Sequence, residues 1–156
     1  NNSLSTGTVT LVDDDTGLAM FSVTDMAPLD SAINCIEVEY AGSLTALNPV
    51  VLYAGSNGGG DTGLGTYLDL TIEVGRIATF NDCSSFAAIG TIVSGGTVAD
   101  FVAGNTDYAS GVATGWTPVV GTDVTRAFRV TVALQDDNAA QGLVGQPTFT
   151  WEVQSN

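Results

Sequence analysis

Apolar residues recur along this chain at every second position, in short runs broken by Gly, Pro, Asp and Asn. That period predicts β-strands. It begins at residues 8–12, where Val9 and Leu11 share a face. Leu4 falls out of phase with them unless an extra residue intervenes, and Gly7 is the natural place for such a bulge. Residues 13–17, three aspartates followed by Thr16 and Gly17, read as a turn. Residues 19–23 resume the alternation with Ala19, Phe21 and Val23 on one side, and residues 26–30 break it around Pro28. A firmer strand follows at 34–40, where Ile36, Val38 and Tyr40 alternate with Cys35, Glu37 and Glu39. Residues 50–53 are apolar on both faces, as a central strand of a sandwich would be.

Residues 56–65 hold five glycines and predict a loop. The clearest alternation of the first half is 67–74, with Leu68, Leu70, Ile72 and Val74 inward and Tyr67, Asp69, Thr71 and Glu73 outward. After a loop around Phe86, Thr91 to Val93 predict a short strand. Val98, Phe101 and Val102 have helical spacing within 97–103, so one short helix is expected there, N-capped by Thr97 and lying as a lid over one end of the core. The final third returns to period two. Phe128, Val130, Val132 and Leu134 face inward, residues 135–142 form a loop, and Phe149, Trp151 and Val153 close the chain. About eight short strands with no helices between them predict an all-β fold, an antiparallel jelly-roll β-sandwich with at most one or two short helices.

Composition agrees with one domain of 156 residues: 44% hydrophobic, only 13% charged, and 19 glycines. Charge sharpens the picture further. Arg76, Arg126 and Arg129 are the only basic residues against seventeen acidic ones, a net charge of -14. Such a surface repels phosphate backbones and anionic headgroups, so neither nucleic acid nor a membrane is an expected partner. No apolar run approaches the length of a membrane helix. Cys35 and Cys83 lie 48 positions apart, without the CxxC spacing of a zinc or redox site. A disulfide is the expected state, with two buried free thiols as the alternative. Closing a loop of that length would stabilise the fold by on the order of 4 kcal/mol and fits an oxidising compartment.

With no His and no Lys, the chain has no Ser-His or Cys-His pair, no HExxH zinc site, no Schiff-base lysine and no Walker A lysine. Asp69 and Glu73 share a strand face, but alternation alone predicts that, so no enzyme and no cofactor are expected. The aspartate clusters at 13–15 and 136–137 offer Asp13, Asp15 and Asp136 as weak candidates for calcium, although turn formation calls for the same residues. Trp116, after a Gly and before Thr117-Pro118, is the candidate for an exposed aromatic. Together with the 56–65 loop it would form the contact region if the chain were a monomeric binder of a glycan or protein.

Three segments in order carry a family resemblance: residues 5–11 with Gly7-Thr8-Val9, the Pro28-Leu29-Asp30 turn, and residues 36–44 ending in Gly42-Ser43-Leu44. Residues 130–142 and 149–152 extend the similarity to nearly the whole chain. This pattern resembles the TasA/camelysin family of secreted bacterial matrix proteins, although Leu29 stands where the usual turn has Gly. The resemblance implies a secreted jelly-roll subunit that polymerises with copies of itself into extracellular filaments of the biofilm matrix. It further implies a division of the chain into an N-terminal donor strand, residues 1–12, and a sandwich domain, 13–156. Leu4, Gly7, Val9 and Leu11 would then complete the sheet of the next copy. Some members of the family carry a metalloprotease label, which the absence of His argues against here.

Overall fold

A computed structural model describes residues 9–16, 26–54, 63–145 and 147–156. Leu4, Gly7, the strand expected at 19–23 and most of the glycine-rich loop at 56–65 lie outside these residues. The described chain forms eight strands and one α-helix: β1 (Leu11–Asp13), β2 (Ser31–Tyr40), β3 (Val51–Ala54), β4 (Leu68–Arg76), β5 (Ala87–Val93), α1 (Val98–Gly104), β6 (Val112–Ala113), β7 (Thr125–Leu134) and β8 (Phe149–Glu152). Short 3-10 turns occupy Leu64–Tyr67 and Asn138–Ala140.

All strand pairs are antiparallel, in a five-stranded sheet of order β1-β2-β7-β4-β5 and a three-stranded sheet of order β6-β3-β8. Ile36, Val38 and Tyr40 from β2, Leu68, Leu70, Ile72 and Val74 from β4, and Phe128, Val130, Val132 and Leu134 from β7 are all buried. They meet Leu52 and Ala54 from β3, and Val50 and Val153 beside β3 and β8, in one cluster. The rings of Phe128 and Trp151 cross between the layers at 5.3 Å. The fold is thus an all-β sandwich, as the alternation predicts, because each long strand has one apolar face and the two sheets bury those faces against each other.

The register gives the sandwich two distinct ends. Ser31 pairs with Ala133 and Leu68 with Leu134 at one end, while Glu39 pairs with Thr125 and Gly75 with Ala127 at the other. Ten residues of β7 separate them by about 33 Å. Helix α1 covers the first end, docked by Val98 and Phe101. Thr97 caps it as expected, and a full capping box is present. Asp100 N donates to Thr97 Oγ1 at 3.2 Å and Thr97 N donates to the Asp100 carboxylate at 2.9 Å.

Three elements differ from the sequence expectation. Strand β2 starts at Ser31 because its first residues continue the ladder with β7, although Ile33 is exposed there. Strand β5 starts at Ala87, four residues earlier than the alternation suggests, because Ala87 to Thr91 are exposed and carry no inward-outward contrast. Strand β6, two residues long, was too short to leave a periodic signal.

The connection from β4 to β5, residues 77–86, crosses the outer face of the five-stranded sheet. Phe86 lies over Gly75, where an added Cβ would sit 2.6 Å from the ring. Arg129, on the outer face of β7, stacks its guanidinium on the same ring at 4.8 Å and donates to Glu73 at 2.6 Å. Gly75→Ala is therefore expected to force Phe86 off the sheet and to destabilise the fold by about 1–3 kcal/mol, measured as a lower urea midpoint.

Candidate functional site

The resemblance points to the sheet edges, and the first edge is β1. Leu11 pairs with Tyr40, Val12 with Glu39 and Asp13 with Val38, and Ala41 N donates to Thr10 O at 2.9 Å. Val9 and Leu11 are half-buried against the chain's own core, and Val12 faces solvent. These residues fold back into their own sheet. The boundary drawn at residue 12 falls inside β1.

Where β1 ends, side chains take over the edge of β2. Asp14 N donates to Glu37 O at 3.2 Å, and the Asp14 carboxylate returns the bond, accepting from Glu37 N at 2.9 Å through Oδ1. Its Oδ2 accepts from Phe80 N at 2.7 Å. One side chain therefore satisfies two backbone donors on separate segments. Next along the edge, Asn81 N donates both to Cys35 O and to Asn34 Oδ1, while Asn34 Nδ2 donates to Asn81 Oδ1 at 2.6 Å. Cys35 and Cys83 form the expected disulfide, with Cα atoms 5.3 Å apart. Asn34 falls on the same side of β2 as Ile36 and Val38 and is buried; a polar residue in an apolar phase was the sequence signal that a partner was needed there.

The aspartate clusters are not brought together. Asp13 sits opposite Val38, and Asp136 lies just beyond Leu134 at the far end of the sheet, a separation of roughly 25–30 Å along the strands. Among the described residues no three acidic, Cys or His side chains gather as a metal site. Within the first cluster Asp14 hydrogen-bonds to the backbone of two other segments. Burial raises the pKa of Asp13, helped by its hydrogen bond to Asp15. Burial also raises that of Glu37, with the Asp14 charge adding to it.

The opposite edge, β5, is longer and plainer. Ala87, Ala88, Ile89, Gly90 and Thr91 are exposed, and the strand carries no charge. Its register with β4 slips twice, leaving Ile89 and Ile92 as extra residues. After β6, Trp116 is 1% exposed, which corrects the expectation of an aromatic offered to a ligand. Its carbonyl accepts from the N–H of Val50, the residue before β3, its Nε1 donates to Asp123 O at 3.3 Å, and Arg126 lies over its ring.

No family model and no curated protein matches the chain. The likeness to the TasA/camelysin family therefore stands on the segments quoted above. No helix among the described residues is long and apolar enough to cross a membrane.

Two outcomes are expected. Asp14→Ala leaves the Glu37 and Phe80 donors unmatched and costs about 1–3 kcal/mol, with protection of the Glu37 amide from hydrogen exchange lost first. The pH dependence has a definite sign. Asp13 and Glu37 hold their protons more tightly folded than unfolded, so stability rises as pH falls through their folded values, and the gain is complete below the ordinary values of 3.8 and 4.5. Asp123 opposes this, since its hydrogen bond from Arg126 lowers its pKa, and its contribution, full above 3.8, is lost as pH falls further. Thermal melts should therefore peak in mild acid, and Glu37→Gln should flatten the rise from neutral pH.

Proposed function

We propose that the chain is a structural subunit of an extracellular filament, of biofilm-matrix or pilus type, built on a jelly-roll-type sandwich and polymerising head-to-tail with copies of itself. In this reading the protein is secreted, has no catalytic role, and exchanges its first strand with a neighbour. The observation that carries it is the weak hold of β1: three register pairs fix it to β2, against nine between β2 and β7. A short strand on a sheet edge can leave and be replaced by the same strand of another copy, which restores every lost contact. Val9 and Leu11 would each contribute roughly 1.5–3 kcal/mol of apolar burial in either arrangement. The exchange is therefore a swap between equivalent sites rather than the filling of a vacant groove. The Cys35–Cys83 disulfide fits the oxidising setting that such a filament occupies.

Repulsion between copies of charge -14 opposes assembly and is screened by salt. Filament yield is thus expected to rise with ionic strength. Deleting residues 1–12 should abolish filaments seen by electron microscopy while leaving the β-sheet circular dichroism largely intact. Filaments that survive the deletion would sink the strand-exchange reading, and a full chain that never polymerises would sink the filament itself.

A further inference from the structure

A strand exchange that restores every lost contact leaves one segment to decide between the closed monomer and the joined copies. That segment is the connection following the exchanged strand, whose shape must differ between the two. Strand β1 ends at Asp13, and Asp14 is still fastened to the β2 edge. Its N–H donates to Glu37 O, and its carboxylate accepts from Glu37 N and Phe80 N. Two residues on, the backbone of Thr16 is left-handed, with φ 54°.

A side chain branched at Cβ suits that conformation poorly, because Cβ and its substituents crowd the neighbouring backbone. Glycine meets no such crowding, yet the sequence places Gly17 one position later. Thr16 is exposed, so side-chain packing does not offset the cost. Among the described residues Leu29, Ile77 and Asn81 are also left-handed without being glycine. Leu29 stands before β2, and the other two belong to the connection from β4 to β5. Thr16 is the one of the four that adjoins the strand which would move.

We propose that the turn at Thr16 is the hinge of strand exchange, strained in the closed monomer and relaxed when the residues up to Asp14 seat on the next copy. This rests on the filament reading above and names what drives it. Carrying the strand to a neighbour straightens the connection, and an extended backbone is the one a Cβ-branched residue favours. Asp14 travels with the strand, because the next copy offers it the same two backbone donors. Contacts on the two sides of the exchange cancel, so the strain at Thr16 remains as the net difference and favours the joined copies. Short connections under strain invite exchange in this way.

The test uses the full-length protein and two substitutions of one kind. Thr16→Gly removes the strain beside β1. Leu29→Gly removes a similar strain, at φ 70°, from a residue that is 74% exposed and takes no part in the exchange. At low salt, where repulsion keeps the chain monomeric, both are expected to raise the thermal midpoint by about 2–5 °C. Thr16→Gly is expected to raise the critical concentration for filaments by about tenfold, since it stabilises the closed form and not the exchanged one. Leu29→Gly stabilises both forms and leaves the critical concentration as it is. A Thr16→Gly protein that melts no higher than the native chain overturns the hinge. So does a critical concentration that is unchanged, lowered, or raised equally by Leu29→Gly; in each case native filaments leave the strand-exchange reading in place. A native chain that stays monomeric at every concentration and salt overturns both.

Discussion

The outer edge of β2 between residues 35 and 37 is the constraint from which much of the structure follows. A sheet edge leaves every second backbone N–H and C=O pointing outward, and half-buried groups of that kind need partners. Strand β1 covers only residues 38–40. Asp14 and Asn81 complete the edge, and the Cys35–Cys83 bond holds Asn81's segment in place. That segment belongs to the crossing connection 77–86, so fixing it also lays Phe86 over Gly75 and Arg129 and sets where β5 begins. Four elements thus depend on one stretch of backbone, and the covalent link makes their arrangement hard to lose.

Scarce cations shape the rest. Arg129 pairs with Glu73 beneath Phe86, and Arg126 pairs with Asp123 beside Trp116. Each joins an ion pair to an aromatic face, where partial burial reduces screening relative to an open surface pair. The remaining acidic groups have too few cations to balance them, so surface electrostatics oppose compaction and the stability must come from the core. Burial of long runs on β2, β4 and β7 supplies it. The same imbalance makes a second copy an unfavourable neighbour in most orientations.

The long strands are legible because each buries one face and wets the other: Leu68 to Val74 and Phe128 to Leu134 alternate without error, and α1 is legible in the spacing of Val98, Phe101 and Val102 after Thr97. Strand β5 was only partly legible, since an exposed edge strand has no inward face to mark it. The burial of Trp116 is not legible locally, because its flanks, Gly115 and Pro118, are turn residues, while Val50 and Asp123, which bond to it, come from other parts of the fold. Asp14 is indistinct within an acidic triplet for the same reason: only the fold distinguishes the aspartate that meets Glu37 and Phe80 from its neighbours.

The two edges of the five-stranded sheet are protected differently, and the difference bears on how copies could add. Strand β5 lacks charge and proline, the usual guards of an edge, yet its extra residues Ile89 and Ile92 break the regular spacing of donors and acceptors. A second strand laid along it would meet a ladder out of step with its own. Strand β1 is regular but only three residues long, so sheet extension beyond it has little backbone to bind. Growth sideways, by adding sheet to sheet, is thereby disfavoured at both edges.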